Sequence, residues 1–163
     1  KTGFGVPQFS AIYNCAEIAK RLRVPVIADG GIVHEKDMVL ALAAGASTVM
    51  MGSIFAKTLE SAAPKRTIRK DDKDVLMVKY RGQASQDFQT DFYGGMKKGT
   101  VPEGVAFEAP CTGSAQDVID NFTGALRSAL TYGGAKNIKE LQRKAEFVKV
   151  TRNFLTESHP RPY

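Results

Sequence analysis

The chain has 163 residues, of which 43% are hydrophobic, and a net charge of +6 at pH 7. This is enough for one domain with a real core, while no run approaches the roughly 18 apolar residues of a membrane span and no secretory signal opens the sequence. Cys15 and Cys111 are too few for a disulfide framework and show no zinc-type spacing, so two reduced thiols in a cytoplasmic protein are expected.

In chain order, Lys1–Pro7 is a glycine-rich loop. From Pro7 to Arg23 a helical period follows through Phe9, Ile12, Tyr13, Ala16, Ala19 and Leu22. Residues 24–29, Val-Pro-Val-Ile-Ala-Asp, read as a buried parallel strand closed by Gly30-Gly31. A helix over His34–Ala44 stops at Gly45, and a second strand at 47–51 closes in Gly52-Ser53. Such a β-α-β unit makes the strands parallel neighbours. Residues 67–80 form a polar hairpin turning at Lys70-Asp71-Asp72-Lys73, with Val75, Met77 and Val78 as its inward positions. Residues 81–113 are glycine-rich without a sustained period and read as a structureless functional flap. A helix from Ala115 to Leu130 carries Val118, Ile119, Phe122, Ala125, Leu126 and Leu130 on one stripe. A short helix at 137–144, a strand at 145–150 and an irregular tail to Tyr163 complete the chain.

Two successive strand ends finished by Gly-Gly and Gly-Ser suit one phosphate site built from adjacent βα loops, with Gly30, Gly31, Gly52 and Ser53 as donors. Asp29 could accept two hydrogen bonds from a ribose diol, or only brace its loop. Tyr80 could give its phenol to a phosphate or fill the core. Glu103, between Pro102 and Gly104, could accept N–H groups of a purine edge or sit in a plain surface turn. No Ser-His-Asp set is visible, and His34 and His159 read as a helix-start and a tail residue. The cationic cluster Lys65, Arg66, Arg69 and Lys70 lacks interleaved aromatics and reads as a solvated face, so no nucleic acid and no membrane is expected as partner.

Only two barrel-type βα units are visible, whereas a closed (β/α)8 barrel needs eight and roughly 250 residues. The expectation is therefore an α/β chain, the C-terminal portion of a TIM barrel with an inserted hairpin and a flexible flap. Residues 1–163 would belong to one catalytic domain whose N-terminal half lies elsewhere.

Several motifs together resemble the IMP dehydrogenase and GMP reductase family over nearly the whole chain. They are Lys-Thr-Gly-Phe-Gly-Val-Pro-Gln at 1–8, Ala-Asp-Gly-Gly at 28–31 and Leu-Ala-Ala-Gly-Ala-Ser-Thr-Val-Met-Met-Gly-Ser at 42–53. Lys-Tyr-Arg-Gly at 79–82, Pro-Glu-Gly at 102–104 and Leu-Arg-Ser-Ala-Leu-Thr-Tyr-Gly-Gly-Ala at 126–135 complete the set. The resemblance implies a barrel enzyme, usually a homotetramer, that exchanges hydride between a nicotinamide cofactor and a purine nucleotide (GMP or IMP) through a covalent cysteine intermediate. It implies that Asp29, Gly30, Gly31, Gly52 and Ser53 hold ribose and phosphate. Tyr80, Gly82, Gln83 and Ala84 would touch phosphate and base, with Gln83 and Ala84 departing from the dehydrogenase pattern. Glu103, followed by Gly104, would read the purine edge and, in a reductase, help handle the proton of the leaving ammonia. Ser128, Thr131 and Tyr132 would contact dinucleotide from a neighbouring subunit. The cofactor would be NADPH, or NAD in a dehydrogenase, with a monovalent cation as a further candidate. The family's nucleophilic cysteine and its threonine partner precede the Lys-Thr-Gly motif, so these residues alone should be inactive. Neither Cys15 nor Cys111 matches that nucleophile.

Dehydrogenases of the family carry an Arg-Tyr pair in a longer flap, the arginine activating the hydrolytic water. Between Tyr80 and Glu103 stands Asp91-Phe92-Tyr93-Gly94-Gly95 and no Arg-Tyr. Without that base hydrolysis has no evident catalyst, whereas reduction needs none. The resemblance thus favours reduction of GMP to IMP and ammonia, in purine salvage. Oxidation of IMP remains the alternative, with a non-catalytic nucleotide-binding or assembly fragment as a further one.

Overall fold

The structure, a computed structural model, describes residues 3–151, 153 and 154. Lys1 and Thr2 of the first motif, and the tail including His159, lie outside the described residues.

The first helix, α1 (Gln8–Leu22), leads into strand β1 (Ile27–Asp29), helix α2 (Glu35–Ala43) and strand β2 (Thr48–Met50). β1 and β2 pair in parallel, with Ile27 opposite Thr48 and Asp29 opposite Met50. The crossover is short because His34 starts α2 directly after the glycine turn; the Asp37 carboxylate accepts from the Val33 and His34 N–H groups at 3.0 and 2.7 Å. This local cap satisfies two donors that the helix leaves unpaired. At the other end Gly45 takes a φ of 112°, the left-handed exit its sequence position suggests.

A four-residue helix, α3 (Ser53–Ala56), follows β2. Next comes an antiparallel sheet of β3 (Lys65–Lys70), β4 (Lys73–Arg81) and β5 (Ala106–Pro110), in that order. Asp71 and Asp72 make the hairpin turn in the left-handed region, at φ 50° and 57°, where aspartate is among the tolerated residues. Val78 is fully buried, while Val75 and Met77 are half-buried. The cationic cluster is engaged locally: Arg66 pairs with Glu108 and Arg69 with Asp72, while Lys65 reaches backbone carbonyls of Ser61 and Ala63.

The flap expectation is corrected by two elements. Residues 86–93 form helix α4 (Gln86–Tyr93), and 106–110 form β5 on the hairpin. Ser85 caps α4 by accepting from the Phe88 N–H, and Gly94 ends it at φ 74°. α4 buries none of its own residues, and its one i, i+4 apolar pair, Phe88 and Phe92, is too short a period to mark a helix by itself.

Helix α5 (Ala115–Tyr132) packs on α2, burying Val118 and Phe122 with Ile12, Met38, Leu42 and Ile54. Ile119, expected on this stripe, is 45% exposed. Glu35 and Asp117 share one cleft near the starts of α2 and α5, and Ala43 meets Leu126 and Leu130 near their ends. The two helices therefore run parallel. Helix α6 (Ile138–Lys144) closes the far end, where the Gln142 amide donates to the carbonyls of Leu42 and Ala46.

Residues 145–150 are not a strand, since no strand among the described residues pairs with them; Phe147 instead packs edge-on against Phe9, with ring centroids 4.8 Å apart. Ile27 on β1 is 58% exposed, a departure from the fully buried strand expected. The two-stranded parallel sheet has no further strand on either edge among the described residues. The architecture is α/β, a portion of a (β/α)8 barrel with an inserted hairpin.

Candidate functional site

The C-terminal ends of β1 and β2 stand side by side because Asp29 pairs with Met50. Gly30 and Gly31 follow with φ of 102° and 74°, a conformation that side-chain-bearing residues rarely adopt. The Gln8 amide on α1 donates to the Asp29 carbonyl at 2.9 Å and fixes the turn. The Asp29 carboxylate is exposed and makes no hydrogen bond or ion pair among the described residues. Gly52 and Ser53 continue from β2 alongside this turn.

Tyr80, near the end of β4, brings in the third loop. Its ring lies against Phe107 of β5, with centroids 5.0 Å apart. A methyl group placed on Gly52 or Gly82 would stand 3.6 or 3.8 Å from the Tyr80 Oη. The phenol oxygen thus lies between the two glycines, and it has no hydrogen-bond partner among the described residues. A donor held by ring packing between glycine loops suits a phosphate oxygen.

The loop at 82–84 joins the acid-bearing turn through its backbone. The Gly82 N–H donates to the Val105 carbonyl at 3.0 Å, and the Gly104 N–H donates to the Ala84 carbonyl at 2.9 Å. These two bonds place Glu103 beside Gln83 and Ala84. The Glu103 side chain is exposed with no partner among the described residues. The structure thus joins Asp29 to Gly31, Gly52, Ser53, Tyr80 to Ala84 and Glu103 in one continuous set of loops.

Ser128, Thr131 and Tyr132 are not in this set. They lie near the C-terminal end of α5, remote from the strand ends, with all three exposed and Tyr132 at 91%. The Thr131 hydroxyl donates to the Arg127 carbonyl of its own helix.

The perturbed carboxylates lie outside these loops and hold helix starts. The Ala115 N–H at 2.8 Å keeps the Glu60 carboxyl below its ordinary value. The Ser114 hydroxyl, then its N–H, does the same for Asp117; the Lys136 N–H does so for Glu140. Cys15 is exposed and Cys111 half-buried, both free thiols. No group of three His, Cys, Asp or Glu side chains among the described residues could hold a metal ion, and no helix is long and apolar enough to cross a membrane.

Sequence reading missed Gln89 of α4, whose side-chain amide donates to the Gln83 carbonyl at 2.9 Å. The flanking signals were present, a serine cap at 85 and a glycine exit at 94, around a short helix whose apolar side chains are Phe88, Phe92 and Tyr93.

The family model described as IMP dehydrogenase / GMP reductase domain matches residues 1–161. An inosine-5'-monophosphate dehydrogenase from Aquifex aeolicus is 44% identical, over 96% of this chain and 32% of its own length. A GMP reductase from Leishmania donovani is 37% identical, over 96% of this chain and 32% of its own. A crystal structure of a GMP reductase variant from Trypanosoma brucei, in complex with guanosine 5'-monophosphate, superposes with a TM-score of 0.86 at 38% identity. That match covers 99% of this chain and 33% of the other. The chain spans about a third of the length of the curated relatives it matches.

Proposed function

The chain belongs to the IMP dehydrogenase / GMP reductase family of oxidoreductases, and on that premise we propose that it forms the nucleotide-binding C-terminal portion of a GMP reductase barrel. The complete protein would convert GMP, NADPH and two protons to IMP, NADP⁺ and ammonium. One observation carries the nucleotide reading: the Tyr80 hydroxyl, without a protein partner, lies between Gly52 and Gly82 beside the Asp29-Gly30-Gly31 turn.

In this reading Gly30, Gly31, Gly52, Ser53 and Tyr80 bind the phosphate, and Asp29 accepts from the ribose hydroxyls. Gln83, Ala84 and Glu103 face the purine. Glu103 accepts from the base edge and holds the proton that leaves with ammonia. NADPH supplies the hydride when bound. Ser128, Thr131 and Tyr132 stand too far along α5 to meet that hydride donor over their own loops, so they would serve a neighbouring copy in a homotetramer. The nucleophilic cysteine is supplied from outside this chain. Reduction is favoured over hydrolysis because residues 81–103 hold α4 and a short loop with no Arg-Tyr pair to activate water.

The test is an assay of the complete protein with GMP and NADPH, with IMP, NADP⁺ and ammonium expected in equal amounts. Oxidation of IMP with NAD, leaving GMP untouched, would overturn it in favour of the dehydrogenase. That second reading is favoured by the 44% identity to the Aquifex aeolicus relative. Nucleotide binding without turnover in either direction would leave a non-catalytic nucleotide-binding or assembly module.

A further inference from the structure

The loop between β4 and α4 has an uneven distribution of hydrogen bonds. Each carbonyl from Gly82 to Ala84 is already engaged. The Gly82 carbonyl accepts from the Ser85 N–H at 2.9 Å, and the Ala84 carbonyl accepts from the Gly104 N–H at 2.9 Å. The Gln83 carbonyl accepts from the Gln89 side-chain amide, also at 2.9 Å. On the donor side only the Gly82 N–H is engaged, by the Val105 carbonyl. The N–H groups of Gln83 and Ala84 have no partner among the described residues. The loop therefore has two free donors, while each of its carbonyls is already directed to a partner within the protein.

Two of those carbonyls are held by the main chain, which mutation leaves in place. The third depends on one side chain. Gln89 lies in the second turn of α4, its backbone N–H bonded to the carbonyl of Ser85, itself only 1% exposed. A second tie acts at the start of the loop, where Arg81 pairs with Asp91 and its guanidinium lies 5.6 Å from the Phe88 ring centroid. The loop is thus fastened to the same helix at its start and at its middle.

We propose that Gln89 is a positioning residue for purine selection: by engaging the Gln83 carbonyl, it turns that acceptor toward α4 and leaves the free N–H groups of the 82–84 loop to the base. Such a loop accepts a 6-oxo purine, whose O6 and N7 are acceptors, and offers nothing to the 6-amino group of adenine. Selection rests on main-chain donors, so the side chains at Gln83 and Ala84 are free to vary. This inference rests on the proposed function, in which the loop faces a purine nucleotide.

The experiment uses the complete protein with Gln89→Met, which keeps the length and helix preference but removes the donor, and Gln89→Lys, which restores a donor. GMP, AMP and ribose 5-phosphate are titrated by calorimetry, and amide hydrogen exchange is followed at Ser85 and Gly104 without ligand. In Gln89→Met, GMP binding weakens about tenfold, the expected consequence of a released Gln83 carbonyl facing the acceptor edge of the base. The preference for GMP over AMP narrows, ribose 5-phosphate binds as before, and the Ser85 and Gly104 amides exchange faster. Gln89→Lys recovers most of each change. Unchanged GMP affinity in Gln89→Met, or equal weakening of GMP and ribose 5-phosphate, overturns the assignment and leaves Gln89 as a local helix cap. A wild-type protein that binds neither GMP nor IMP overturns the proposed function itself, and the exchange rates then judge the Gln89 tie alone.

Discussion

A methyl group added at Gly104 would stand 2.7 Å from the Ala84 carbonyl carbon and 2.6 Å from the Ser85 nitrogen. Only a residue without a side chain lets these two strands of backbone meet and exchange the Gly104 to Ala84 hydrogen bond. Glu103 and Gln83, distant in sequence, are thereby held as one body.

Gly104→Ala tests that coupling. The obstacle is backbone, which cannot rotate aside, so overpacking should cost about 1–3 kcal/mol. The expected result is a lower melting temperature together with weaker GMP binding. Wild-type values for both would show that the two segments are independent.

Tyr80→Phe keeps the ring against Phe107 and removes only the hydroxyl. A single hydrogen bond of about 1 kcal/mol predicts roughly fivefold weaker nucleotide binding with little change in melting temperature. Guanosine, which lacks the phosphate, should bind both proteins alike. Equal losses for GMP and guanosine would remove the phosphate from the account of Tyr80.

Glu103→Gln preserves shape and a carbonyl acceptor but cannot hold a proton at neutral pH. Turnover should fall about 10²-fold, while the dissociation constant for GMP changes only a few-fold. A defect mainly in binding would restrict Glu103 to orienting the base.

Acid stability follows from the capping carboxylates. Asp117 accepts from the Ser114 hydroxyl at 2.7 Å and from its N–H at 3.2 Å, and its carboxyl is held below the ordinary value. A lowered folded-state pKa gives stability that is fully present above the ordinary carboxylate range of about 4 and is lost as pH falls through the lowered value. Glu60 and Glu140 act with the same sign. Melting temperature should therefore decline below about pH 4, and Asp117→Asn should make that decline shallower. Ser114→Ala should cost about 1 kcal/mol at neutral pH as a lost helix cap. An acid limb identical in Asp117→Asn and wild type would remove Asp117 from the account.

The β-α-β unit was legible because its signals are local. Apolar runs end at Asp29-Gly30 and Met51-Gly52, and the period from Phe9 to Leu22 marks a helix that does bury Ile12 and Ala16. The glycines proposed to hold phosphate came from the same signals, and the structure sets them side by side. What remained hidden depends on partners distant in sequence. β5 is defined by register with β4, Tyr80 against Phe107, which no window of sequence contains. α4 is eight residues long and buries none of them, so its caps and the spacing of Phe88 and Phe92 were its only trace. Residues 145–150 hold strand-forming Phe147, Val148 and Val150, yet without a neighbouring strand among the described residues the backbone is irregular.

The pairing of Ala28 with Val49 has a consequence for evolution of this site. A slip of one residue between β1 and β2 would carry the Asp29 turn about 3.3 Å past Gly52 and turn every strand side chain to the opposite face. Hydrogen bonds tolerate only about 0.5 Å. Ala28, 1% exposed, therefore acts as a spacing gauge for the proposed nucleotide loops without belonging to them. Substitutions there would be selected against as strictly as substitutions in the loops, and a catalogue of ligand contacts would never reveal why.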